Sequence, residues 1–218
     1  MSDLLSGLNG GSVPALDMVL SVTLVALLPS IVIMMTSFMR IIIVLSFTRT
    51  AMGVQQTPPN MVLVGCALFL TLFIMRPTIA EVNTEAYQPY RKGEITQEEA
   101  MKRAQTPMKE FMLRNTESAT LDKFVDMAGI QEEEDPMNYP ITVVTPAFMA
   151  NELKRAFMAG FLLYLPFLLI DIVVATTLMS MGMAMMPPTM VSMPFKLLLF
   201  ITVDGWDLLF SSLVRSFR

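Results

Sequence analysis

The chain has 218 residues, 54% of them hydrophobic, and a mean hydropathy of +0.57. That is more apolar than a soluble globular protein, whose apolar share is roughly 45–50%. With no histidine and one cysteine, Cys66, it has no intramolecular disulfide, and a His- or Cys-based metal site or nucleophile is disfavoured. A net charge of −4 without a basic cluster gives no footing for nucleic acid.

Residues 1–17 are small and polar, with Gly7, Gly10, Gly11 and Pro14, and read as a flexible lead-in. They lack the basic start of a secretory signal. Either the first apolar segment inserts the chain, or a signal was removed before this numbering begins. Residues 18–75 read as an N-terminal apolar helical hairpin. Residues 18–39 carry no charge and suffice to cross a bilayer, which takes about 20 residues. Pro29 predicts a kink there. Arg40 interrupts the segment, and residues 41–47 continue it toward Arg49. Pro58 and Pro59 break the helix and force a turn, with Gln55, Gln56 and Thr57 before them. Residues 60–75 form a second apolar segment, short for a full span.

Residues 76–145 hold most of the charge and read as a small helical domain. Thr96 and Glu99 make a capping box. Thr106 and Pro107 read as an N-cap and first helical proline, and Gly129 as a helix end. Residues 132–135, all acidic, read as a solvated loop before Pro136. Residues 139–144 read as a short extended link.

Residues 146–218 read as a C-terminal helical hairpin. Thr145 and Pro146 predict its first helix start, and the pattern runs through residues 157–178, interrupted by Pro166 and Asp171. Then come Met179, Met181, Met183, Met185 and Met186, five methionines within eight residues, ended by the helix break at Pro187 and Pro188. Methionine is flexible and polarizable and moulds to irregular or changing surfaces. Helix-core filling is its commonest use. Density and the adjacent backbone break suggest a deformable apolar constriction beside that reading. The last apolar segment, residues 194–210, carries Lys196, Asp204, Trp206 and Asp207.

Arg40 and Arg49, in a short loop without acids, predict a cytoplasmic loop by the positive-inside rule. Domain 76–145 would then be extracytoplasmic. Both arginines read as cytoplasmic-side anchors. Glu152, Lys154 and Arg155 read as a polar collar at a helix start or a subunit contact. Asp171 in an apolar segment suggests either a proton-relay group or a salt bridge holding subunits or hairpins together, and pairing is the usual fate of such a charge.

Four stretches resemble one family: residues 47–60 (FTRTAMGVQQTPPN), 145–154 (TPAFMANELK), 165–171 (LPFLLID) and 194–206 (PFKLLLFITVDGW). They are similar to the FliP/SctR family, the export-gate proteins of type III secretion systems. The double proline and residues 193–195 resemble its flagellar branch more than the injectisome branch. The resemblance implies an all-α membrane-associated fold, with kinked helical hairpins flanking the extracytoplasmic domain. It implies several copies of the chain in a ring with FliQ and FliR homologues and other export-apparatus membrane proteins. That ring would surround a pore for unfolded exported flagellar proteins, in the bacterial inner membrane at the flagellar basal body. Assembled, it would lie largely above the bilayer, so apparent spans become packed hairpins. The family's pore is closed by methionines that fall here on Met183, Ala184 and Met185. Ala184 departs from the usual methionine, and the adjacent Met186 compensates. The resemblance also places an inter-subunit ion pair at Asp171 and Lys196.

It implies no cofactor and no enzymatic activity, in line with the absence of a nucleotide-binding loop or paired catalytic carboxylates. The alternatives are the same role in a virulence injectisome, or an ion-coupled secondary transporter built on Asp171. The two halves show no evident repeat to support a transporter.

Overall fold

The computed structural model describes residues 22–23, 26, 30–31, 33–54, 56–183 and 185–217. The lead-in over 1–17, the kink at Pro29, Gln55 and Ala184 lie outside the described residues. Among those described, the chain is helical and contains no strand.

Helix α1 spans Phe38–Ala51, after a break at Thr36 and Ser37. Arg40 therefore lies in its first turn and does not interrupt a helix. A loop with a cis Thr57–Pro58 bond leads to α2, Asn60–Val82, which begins directly after Pro59. A π-helical turn, Asn83–Tyr87, joins α2 to α3, Gln88–Arg91, so that Asn60–Arg91 forms one helical run of 32 residues. The second apolar segment is thus not short. It passes residues 75–76 without a break and carries Pro77 inside it.

Helix α4 spans Gln97–Arg114 and is capped as predicted, Thr96 Oγ1 accepting from Glu99 N at 3.3 Å. The helix start predicted at Thr106 does not occur, because α4 runs through Pro107, whose ring is buried. Helix α5, Ser118–Ala128, ends at Gly129 in the left-handed conformation (φ 64°). Ile130 N donates to Val125 O and Gly129 N to Asp126 O, which closes a Schellman turn. The acidic run 132–135 is exposed, as expected. Asp135 caps the 3-10 turn Pro136–Asn138, and the hydroxyl of Tyr139 accepts from Glu133 N.

Helix α6, Ile141–Ser180, has 40 residues. It starts after the extended Pro140, four residues before Thr145, so the predicted link over 139–144 is mostly helix. Burial explains the early start: Val143, Val144, Ala147 and Phe148 all pack into the core. Fully burying such a side chain is worth about 1.5–3 kcal/mol, enough to hold a turn around Pro146. Helix α7, Pro188–Thr202, and helix α8, Gly205–Arg215, meet at a 62° bend. Asp204 makes the bend in the left-handed conformation (φ 52°).

The main core gathers Ile41, Val44 and Leu45 of α1, Leu63 and Ala67 of α2, Phe111 and Met112 of α4, Phe148 of α6 and Leu213 of α8. Charged middle region and apolar hairpins thus share one core. Gly160 permits a close approach of α1 to α6, since a Cβ there would lie 2.6 Å from the Phe47 ring. Phe47 meets Phe157 edge to face at 5.4 Å. Asn60–Arg91 and Ile141–Ser180 are each long and apolar enough to cross a membrane, and the bent pair α7–α8 would make a third span. Most of their apolar windows are uncovered within the chain, only 28% and 11% being buried.

Candidate functional site

The methionine loop is built by how α6 stops. Gly182 takes a left-handed conformation (φ 75°), which costs glycine nothing. Met183 N then donates to Leu178 O at 3.0 Å and Gly182 N to Met179 O at 3.1 Å, a second Schellman turn. Met186 N donates to Met183 O at 3.3 Å. Pro187 is extended, and Pro188 is the first residue of α7, where its missing N–H costs nothing. Met183 and Met186 are 44% and 46% exposed, and Met185 is fully exposed. Met179 and Met181 are also exposed. A hairpin tip therefore presents a group of uncovered thioethers on a defined turn. Gly182→Ala is expected to cost about 1 kcal/mol, through the left-handed strain on a side chain. Equilibrium unfolding of the purified chain in detergent measures it, and an unchanged stability would mean that the turn relaxes freely.

Asp171 and Lys196 meet. Lys196 Nζ lies 2.6 Å from Asp171 Oδ2, and Ser192 Oγ donates to Asp171 Oδ1 at 2.6 Å. The Lys196 side chain is 4% exposed and that of Asp171 21%. Both carboxylate oxygens are therefore engaged, and the pair bridges α6 and α7 of one chain. Within one chain the two positions meet because the α6–α7 hairpin folds back and brings them together. Lys196 also lies under the end of α1, where a Cβ on Gly53 would be 3.9 Å from its Nζ. A cation near a helix C-terminus is favourably placed.

A second ion pair was not foreseen. Arg40 grips Glu152 with a bidentate contact through one guanidinium edge, Nε lying 2.9 Å from Oε2 and Nη2 donating to Oε1. Arg40 Nη1 donates to Ser216 O at 3.1 Å and Ser216 Oγ at 2.9 Å. The guanidinium also stacks 3.7 Å over the Phe217 ring, and the two charged side chains are 3% and 0% exposed. Arg40 is thus not a cytoplasmic-side anchor. Its partner lies 112 positions away, so no local pattern announces the pair.

Glu152 likewise leaves the predicted collar. Lys154 and Arg155 turn instead to Glu117, at 2.6 and 4.0 Å. The hydrogen bond from Lys154 holds the Glu117 carboxyl below its ordinary range. Arg49 ties down the α1–α2 turn, donating to Pro58 O at 3.3 Å and Asn60 Oδ1 at 2.5 Å. Trp206 is a packing residue, edge to face with Phe200 at 5.1 Å.

The FliP family matches over residues 21–213. The chain is 48% identical over 212 residues to "Flagellar biosynthetic protein FliP" of Aquifex aeolicus, covering 96% of this chain and 89% of that protein. It is 50% identical over 200 residues to the Bacillus subtilis protein of the same name, covering 92% and 90%. Against that of Pectobacterium carotovorum the identity is 49% over 211 residues, covering 96% and 82%. Identity at this level across nearly the whole length of both proteins leaves no room for a different fold, and this chain belongs to the FliP family.

Proposed function

We propose that the chain is a subunit of the core export gate of the flagellar type III secretion apparatus. Several copies assemble with FliQ and FliR homologues around a pore for unfolded flagellar proteins, in the bacterial inner membrane. The single observation that carries this reading is the methionine loop, which projects Met183, Met185 and Met186 from a turn fixed by Gly182 and the two prolines. Several such tips around one axis make an apolar collar. A hydrophobic constriction blocks ions by dewetting, and flexible thioethers mould around any passing polypeptide. The largely uncovered faces of α2 and α6 supply surface for neighbouring subunits.

Arg49, at the α1–α2 turn, is the cation that points that end toward the cytoplasm, and the region 76–145 then faces the other side. The chain does no chemistry of its own, and partner proteins supply the energy of export. The flagellar role is favoured over an injectisome role by the relatives' names. The transporter reading loses ground because Lys196 and Ser192 occupy both oxygens of Asp171.

The native mass of the detergent-extracted chain tests the proposal, measured alone and after co-expression with FliQ and FliR homologues. A discrete oligomer that takes up both partners is expected. A monomer that ignores them overturns the ring. Within that assembly, replacing Met183 and Met185 with alanine is expected to make cells leak ions, and an unchanged leak would remove the collar from its gating role.

A further inference from the structure

The methionines of this chain differ sharply in burial. Met39, Met52, Met75 and Met112 lie in the core. Thr145 Oγ1 donates to Met112 Sδ at 3.8 Å, so that sulfur also serves the packing of α4 against α6. Met179, Met181, Met183, Met185 and Met186 are uncovered at the tip of the α6–α7 hairpin, and Met185 is fully exposed. Met61 and Met127 are also open, but neither has another methionine near it in sequence.

Main-chain groups hold the tip in shape. Gly182, Met183 and Met186 donate their N–H groups to the carbonyls of Met179, Leu178 and Met183, and Pro187 and Pro188 lead into α7. A change at sulfur therefore alters the surface of the turn and leaves its backbone in place. Oxidation by a hydroperoxide is such a change. The sulfur lone pair attacks one oxygen of hydrogen peroxide. An S–O bond forms, the O–O bond breaks, and the proton of the transferred oxygen passes to the departing hydroxide, which leaves as water. Sulfur loses two electrons and the peroxide gains them. The sulfoxide is polar where the thioether was apolar. Hydrogen peroxide is small and uncharged, so it reaches the tip from either side of a membrane.

We propose, resting on the gating role of this loop, that it is also a peroxide-responsive modification site. Oxidation, at Met185 first, turns the apolar collar polar and lets ions through. A hydrophobic constriction holds ions back because water leaves it, and a sulfoxide on each tip supplies the acceptors that bring water back. Sulfoxide reductases restore the thioethers, one enzyme for each epimer.

Peptide mapping by mass spectrometry tests the site, on the full chain in detergent sampled during exposure to hydrogen peroxide. Oxygen is expected on the tip methionines about tenfold faster than on Met39, Met52, Met75 and Met112, with Met185 leading the tip. The two reductases together should remove it. Equal rates for tip and core overturn the proposal. Ion leak in cells carrying the assembled gate tests the consequence. Peroxide is expected to raise the leak several-fold over the same cells before treatment. The combined variant Met183→Leu, Met185→Leu and Met186→Leu, its assembly checked by native mass, should lose that rise, and Met127→Leu should keep it. A tip that oxidises without raising the leak, where alanine at 183 and 185 does raise it, overturns this proposal and leaves the gate standing. No leak from either treatment removes the gate itself, and this proposal with it.

Discussion

Replacing Arg40 with alanine is expected to destabilise the chain by about 3–5 kcal/mol, because it leaves Glu152 buried without its countercharge. Glu152 is fully buried, and Arg40 supplies two of its hydrogen bonds. The same substitution frees Ser216 and uncovers Phe217, which stacks on Phe111 of α4 with ring centroids 6.2 Å apart. One side chain therefore joins α1, α6 and the end of α8. Changing both partners to apolar residues of similar size, Arg40→Met with Glu152→Leu, should recover most of the loss. A buried ion pair often gives little net stability even when breaking it costs much. Denaturant unfolding in detergent, run as a double-mutant cycle, measures both effects. A loss below about 1 kcal/mol for Arg40→Ala would mean that water reaches Glu152 and the clamp is slack.

Asp171→Asn is expected to destabilise the α6–α7 hairpin more than Lys196→Met does. The Lys196 ammonium is nearly enclosed and, among the described residues, has Asp171 as its one acidic partner. Asparagine keeps an acceptor oxygen but leaves the charge uncompensated, a loss of about 3 kcal/mol. In Lys196→Met the remaining carboxylate is 21% exposed and keeps its bond from Ser192, so the penalty is smaller. Thermal unfolding of both variants gives the order, and secretion assays give the role. An Asp171→Asn chain that assembles normally yet secretes nothing would return Asp171 to the proton-relay reading.

Features that depend on neighbouring residues were legible in the sequence. Thr96 with Glu99 announced a helix start, Gly129 announced a helix stop, and residues 132–135 announced a solvated loop. The methionine group was legible as a composition anomaly, although its fixed shape comes from Gly182. Thr-Pro pairs misled twice. At Thr106 and Thr145 the local signal reads as a cap, but burial of Pro107 and of Val143, Val144, Ala147 and Phe148 carries each helix straight through. Arg40 misled for a different reason. A lone cation in an apolar run looks like a membrane-border anchor until its distant acid is found. The resemblance marked Asp171 and Lys196 as partners, and the hairpin's register brings the two together within one chain.

The length of α6 turns packing into mechanics. Its 40 residues extend about 60 Å, from the charged region to the methionine loop. The upper part is gripped by the core and by Arg40, and Asp171 is tied only to α7. Between those grips lies Pro166, which lacks the N–H to bond the carbonyl four residues earlier. From Pro166 to Ser180 the arm is about 21 Å long. A 10° swing about that proline moves the methionine tip by roughly 4 Å, about two thirds of a helical pitch. Because Lys196 ties the arm to α7, both legs of the hairpin travel together, and a modest torque at the proline becomes a change of aperture at the tip.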